Sequence, residues 1–201
     1  AAQHHERVMA LWGELKPGLA GLATADQEMA LSALAEARFA EAEKLRLAAA
    51  KLQFPEFKAE ATVDAVNEHV KKRVAPWVQA KLAAIRQAEE AYIEVLKTKP
   101  LVPMWTVRSS SRVGAMWADF LADVRSTPVP KAWLGDGQTP EGVAYPKILA
   151  VYRDALDDMS APFFMKAQSS FGLCLSEGES AGIEDAFVAS CRGWLDRNGY
   201  N

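Results

Sequence analysis

The chain has 201 residues, half of them hydrophobic and about a quarter charged, with a formal net charge of -3 at pH 7. That composition supports a well-buried core in one or two structural units and excludes extensive disorder. The weak negative balance offers no broad positive field for a phosphate backbone, and Lys71-Lys72-Arg73 sits among helical apolar positions, so nucleic acid is not expected as a partner.

Val8, Leu11, Trp12 and Leu15 stand at helical spacing and predict a first helix over 4–15, stopped by Lys16-Pro17-Gly18. Thr24, followed three residues on by Gln27, reads as a capping-box start, and the Ala- and Leu-rich run to Leu52 has the propensity to stay helical throughout. Pro55 biases Phe54 away from the helical region and so places a reversal there. From Val63, the residues Val66, Val70, Val74, Trp77, Ala84, Ala88, Tyr92 and Val95 hold one helical phase as far as Lys99. Pro76 removes one hydrogen bond from this stretch, which is either a kinked helix of roughly 55 Å over 62–98 or two abutting helices; the preserved phase favours the kink.

Lys99-Pro100-Leu101-Val102-Pro103 is the next reversal. Over 104–125, Val113, Met116, Trp117, Phe120, Leu121 and Val124 form an apolar arc, with Arg108, Arg112 and Asp119 on the opposite arc and Trp105 at its border. The span 126–140 concentrates Pro and Gly around Trp133 and reads as a long irregular connection whose aromatic folds back onto the helices. Further helices are predicted over 142–159, 161–177 and 182–196, with Gly178 ending the middle one. The expectation is an all-α fold of about 7–8 antiparallel helices with no sheet, since no segment shows the two-residue alternation of a strand.

Ala88, Tyr92 and Val95 carry a packing instruction. A small residue, an aromatic four on and a small or branched residue three further let two helices approach closely with one ring wedged between them. Ala167, Phe171 and Cys174 repeat the spacing 79 residues later, a weak internal repeat because arrays usually recur every 20 to 50 residues. The chain divides into N-terminal helices over 1–58 and a helical domain over 59–201, or forms one continuous unit.

Taken in order, Ala88 to Pro100, Trp105, Arg112-Val113-Gly114, Trp117-Ala118-Asp119-Phe120, Pro128-Val129-Pro130, Tyr152-Arg153-Asp154-Ala155-Leu156, Lys166-Ala167 and Phe171 resemble a known pattern. It is similar to the C-terminal helical region of large tetratricopeptide-repeat (TPR) proteins from the envelope of gliding bacteria, including components of the adventurous gliding machinery. The resemblance covers roughly residues 80 to 197 and leaves the first 60 residues unmatched. It implies a TPR-like right-handed array of stacked hairpins and a non-enzymatic scaffold for other proteins, placed in the periplasm or cell envelope, with no cofactor and no catalytic residues. The alternative is a helical binding module for a small apolar ligand or lipid, with Trp and Phe side chains lining an internal pocket.

The chemistry sought elsewhere is mostly missing. His5-Glu6-Arg7-Val8-Met9 begins like the zinc motif HExxH but ends in Met, which takes away the second imidazole. His69 has Val66 rather than Glu three positions before it, so the Glu-x-x-His pair of a di-iron bundle is lacking and no metal site is expected. Gly135-Asp136-Gly137 reads as a turn, and Asp154 with Asp158 as a surface pair one helical turn apart. Cys174 and Cys191 flank a reversal near 178–182 and form either one disulfide in an oxidising compartment or two buried thiols; their alignment depends on where the last helix starts. Arg108, Arg112 and Asp119, with Trp105 and Trp133, are the candidate partner-facing residues. On that reading Arg112→Glu weakens partner binding and leaves thermal stability nearly unchanged. No apolar run approaches the roughly 18 residues that span a bilayer, so any membrane association is expected through partners.

Overall fold

In the computed structural model, which describes residues 2–199, the chain folds into helices α1 (Ala2–Leu15), α2 (Thr24–Ala50), α3 (Val63–His69), α4 (Ala75–Leu96), α5 (Pro103–Arg125), α6 (Tyr145–Ser180) and α7 (Ala186–Asn198). Among the described residues there is no strand, only an isolated bridge between Gln138 and Ala144. A π turn, Val70–Val74, fuses α3 to α4, so the seven helices make six rods. Here lies the answer to Pro76. The rod runs on past the proline rather than splitting into two helices: the turn before it widens, with the Ala75 N–H donating to the Val70 carbonyl, and Pro76 falls in the first turn of α4 where its missing N–H costs least.

Three local readings change. Pro162 does not separate two helices: it lies inside the 36-residue α6, exposed, while Ser160, Ala167, Phe171, Cys174 and Gly178 keep one buried line along the opposite side. Burial of that line outweighs the one lost hydrogen bond, and the Ser160 hydroxyl donates to the Asp157 carbonyl just before the proline. Gly178 does not end a helix either. It is buried where α6 meets α7, and a Cβ there would stand 2.5 Å from Val188; the positive φ of 63° that follows the helix falls on Gly182. Thr24 is the first residue of α2 rather than its cap, which is Ala23, and Gln27 reaches back to the Leu22 carbonyl at 2.8 Å.

Successive rods run antiparallel along their neighbours. Arg38 of α2 meets the Glu94 carbonyl and Thr98 at the end of α4, whereas Lys81 near the start of α4 meets the Ala49 and Leu52 carbonyls at the end of α2. Lys81 and the Trp77 indole N–H thereby satisfy carbonyls that the C-terminus of α2 leaves open. Along α5 and α6 the pairs Gly114 with Phe171, Trp117 with Phe163 and Arg125 with Asp157 run in opposite order.

Helix α5 is the centre of the molecule. Trp105, Val107, Ser109, Ser110, Ser111, Val113, Gly114, Met116, Trp117 and Phe120 are buried, which covers most of its circumference and replaces the two-arc pattern expected from sequence. The core on it is aromatic: Trp77 stacks on Phe120 at 5.7 Å, Trp117 on Phe163 at 5.5 Å, and Phe120 meets Phe163 edge to face at 5.1 Å. Ala88, Tyr92, Val95, Ala167, Phe171 and Cys174 are all buried, so both copies of the three-point spacing lie at helix seams. Cys174 and Cys191 are joined in a disulfide that ties α7 to α6, because α7 starts at Ala186, with Asp185 accepting from the Phe187 and Val188 N–H groups.

Candidate functional site

On α5, positions 108, 111, 112 and 115 share one face at helical spacing, and that face turns toward the start of α7. Trp105 is fixed first. Its ring packs 5.2 Å from Phe39 and its indole N–H donates to the Ser32 hydroxyl at 3.3 Å, so a residue expected at the border of a free surface is buried. The Arg108 guanidinium then lies over the Trp105 ring at 4.8 Å and within 5.6 Å of Phe187 on α7. The Arg112 guanidinium lies 5.1 Å from the same Phe187 ring, one helical turn along.

The two arginines differ in what balances them. Glu43 of α2 accepts from Arg46 through both carboxylate oxygens at 2.9 Å, accepts from the Tyr92 hydroxyl, and stands 3.1 Å from Arg112 Nε. Burial pushes the Glu43 carboxyl upward, but the bonds from Arg46 and Tyr92 and the charges of Arg112 and Arg46 outweigh it and hold its pKa below the ordinary carboxylate value. Burial, then the bond to Glu43 and its charge, pushes the Tyr92 hydroxyl well above the usual tyrosine range. Arg108 has no carboxylate within ion-pair distance among the described residues, and its Nε is shielded from water without an acceptor. Two cations, Arg46 and Arg112, therefore share one carboxylate, and Arg108 has none.

Between α5 and α7 an open cleft of about 320 Å³ is lined by Ser111, Arg112, Ala115, Ala186, Phe187 and Ser190. Its lining combines the apolar Ala115, Ala186 and Phe187 with the Ser111 and Ser190 hydroxyls and the Arg112 guanidinium; Arg108 lies outside it, between Trp105 and Phe187. That combination suits a partner side chain with an apolar stem and a charged or polar end.

Of the five candidate residues, the structure gathers Trp105, Arg108 and Arg112 and separates the other two. Asp119 lies two turns further along α5, beside Arg46 and Lys81 at the α2–α4 seam; burial and then the Asp123 charge raise its pKa, while Lys81 and Arg46 draw it down. Trp133 sits in a short 3-10 turn, Lys131–Leu134, and meets Tyr152 edge to face at 5.9 Å. Tyr152 is roughly 30 Å along α6 from Cys174, which touches Phe187, so Trp133 belongs to the far end of the molecule. The Arg112→Glu expectation also changes. Arg112 is the ionic neighbour of Glu43, and a carboxylate there would face a second one across the α2–α5 seam, so the substitution is expected to lower stability as well.

Glu43, the Tyr92 hydroxyl and Phe187 were missed from sequence. Glu43 stands among Glu41, Lys44 and Arg46 in what looks like an ordinary solvated helix face, and no spacing rule links it to positions 49 and 69 residues away. Among the described residues no group of three or more His, Cys, Asp or Glu side chains is gathered as a metal would require. His5 pairs with Glu36 at 3.5 Å, and His69 packs against Phe57 with ring centres 5.0 Å apart. No family model matches this sequence, and neither a curated protein nor a solved structure matches it.

Proposed function

We propose that this chain is a non-enzymatic scaffold for protein–protein contacts in an envelope assembly of the gliding type, working in the periplasm or at the cell envelope. Its stacked antiparallel rods resemble a TPR-like array in their close alanine and ring seams, although α2, α5 and α6 at 27, 23 and 36 residues are longer than a 34-residue hairpin repeat allows. The observation that carries the reading is the cleft between α5 and α7, where Arg112, Phe187 and two serine hydroxyls line an opening to solvent between packed helices. The Cys174–Cys191 disulfide supports an oxidising compartment. The apolar-ligand alternative has less behind it, because Trp77, Trp117, Phe120 and Phe163 fill the interior against one another.

The test is a photoreactive residue placed at Ser190 in the native cell, with a second at Met159 on the outer side of α6 as control. A discrete cross-linked protein from Ser190 in the envelope fraction, weaker or absent from Met159, is the expected result. A chain recovered only from the cytosol, or Ser190 giving no cross-link, overturns the proposal.

A further inference from the structure

Where α1, α2 and the end of α4 meet, an open pocket of about 190 Å³ gathers two kinds of side chain. The apolar ones are Leu31 and Leu34 of α2, both buried, and the half-buried Trp12 of α1. The cationic ones are Lys16 in the Lys16–Gly21 turn after α1, Arg38 of α2, and Lys97 and Lys99 just past α4. Among the described residues no acidic side chain lines it.

Arg38 is held in place without being neutralised. Its Nη1 donates to the Glu94 carbonyl at 2.8 Å and to the hydroxyl of the buried Thr98 at 3.0 Å, both uncharged acceptors. The orientation is therefore settled before anything binds, and the other guanidinium N–H groups remain as donors. Lys97 has Glu94 at 2.6 Å, whereas Lys16, Arg38 and Lys99 lie beyond ion-pair distance of every carboxylate among the described residues. Three like charges around one pocket repel one another, and an anion placed among them relieves that repulsion. One carboxylate leaves two of the three unanswered. A phosphate monoester carries about -1.5 to -2 at pH 7, with three acceptor oxygens that suit an arginine and two lysines. Bare inorganic phosphate answers the charges but leaves Trp12, Leu31 and Leu34 uncovered, so the lining calls for an anion with an apolar body.

We propose that this pocket binds a phosphate monoester of a compact apolar alcohol, with Arg38, Lys16 and Lys99 on the phosphate oxygens and Trp12, Leu31 and Leu34 against the apolar body. The site stands apart from the α5–α7 cleft, and neither outcome of the Ser190 cross-link bears on it. The probe is phenyl phosphate, titrated calorimetrically into the full, oxidised chain at pH 7.5 and low salt, beside inorganic phosphate and phenylacetate. Phenyl phosphate is expected to bind with a dissociation constant below about 1 mM and at least about tenfold more tightly than either of the others.

Arg38→Gln is expected to lose about tenfold or more in affinity, but Arg38 also secures the end of α4, so a second variant separates binding from fold. Lys16 and Lys99 are exposed and unpaired; the double change Lys16→Gln with Lys99→Gln is expected to melt as the unaltered chain does and to bind about five- to tenfold more weakly. Trp12→Ala is expected to weaken phenyl phosphate severalfold and leave inorganic phosphate unchanged. Inorganic phosphate or phenylacetate binding as tightly as phenyl phosphate overturns the inference, as does affinity untouched by the double lysine change. Absence of phenyl phosphate binding while the chain sediments with phosphatidate vesicles assigns the charges to a membrane surface and overturns it too.

Discussion

Replacing Glu43 with Gln removes the single negative charge that Arg46, Arg112 and Tyr92 share while keeping the side chain's shape. Each hydrogen bond to a charged group is worth about 1.5–3 kcal/mol when fully buried, and Glu43 takes two from Arg46 and one from Tyr92. The side chains of Glu43 and Arg46 keep 21% and 22% of their surface exposed, so water recovers part of what is lost and a sum of the three bonds would overshoot. A net loss of about 2–3 kcal/mol is expected, which for a chain of this length lowers the melting temperature by about 5–10 °C. The same substitution fixes the sign of a pH effect. The Glu43 pKa is lowered on folding, so its contribution is fully present above the unfolded value near 4.5 and is lost as pH falls through the lower folded value. Denaturation followed by circular dichroism at pH 7 should show the full difference between the two proteins, and at pH 3.5 a smaller one. A Glu43→Gln chain melting within 1 °C of the unaltered one at pH 7, or a gap that does not shrink in acid, would refute the reasoning.

Two glycines should respond in opposite directions to alanine. At Gly114 a Cβ would stand 2.8 Å from three atoms of the Phe171 ring, itself buried, so Gly114→Ala is expected to cost about 1–2 kcal/mol despite the helix preference of Ala. At Gly193 the nearest atom is a flexible Arg197 nitrogen at 3.4 Å, and Gly193→Ala should gain about 0.5–1 kcal/mol; urea midpoints read both. Changing Cys174 and Cys191 together to Ser opens a loop of 17 residues, with an expected loss of about 3 kcal/mol that disappears when both proteins are compared in reductant.

The sequence made the helices plain and their company obscure. The phase of Val66, Trp77, Ala88, Tyr92 and Val95 is a local property of a helix with one buried side, and it is reproduced in the burial of those residues. Pro162 and Gly178 misled for the same reason from the other direction: each carries a strong local preference for ending a helix, and each is overruled by contacts with α5 or α7 that no window of sequence contains. The candidate site was half visible. Trp105, Arg108 and Arg112 recur at helical spacing, but the arginines' partners Glu43 and Phe187 come from 69 to 79 residues away in the chain, and Asp119 shares their helix face while sitting in a different electrostatic setting. The burial of most of α5 was hidden because Ser109, Ser110 and Ser111 look like surface residues; they are small enough to line seams between helices, which is a matter of volume rather than polarity.

The widened turn at Val70–Val74 does more than make room for a proline. In a plain α-helix eight residues overshoot two full revolutions by roughly 80°, so Val66 and Val74 would drift apart in azimuth; a slower winding between them absorbs much of that excess, and both side chains end up inside. The rod is thus indexed by residue number as well as by residue type. Losing or gaining one position between Val66 and Ala75 would swing α3 about its axis and carry Val66 out into water, even with every remaining side chain unchanged.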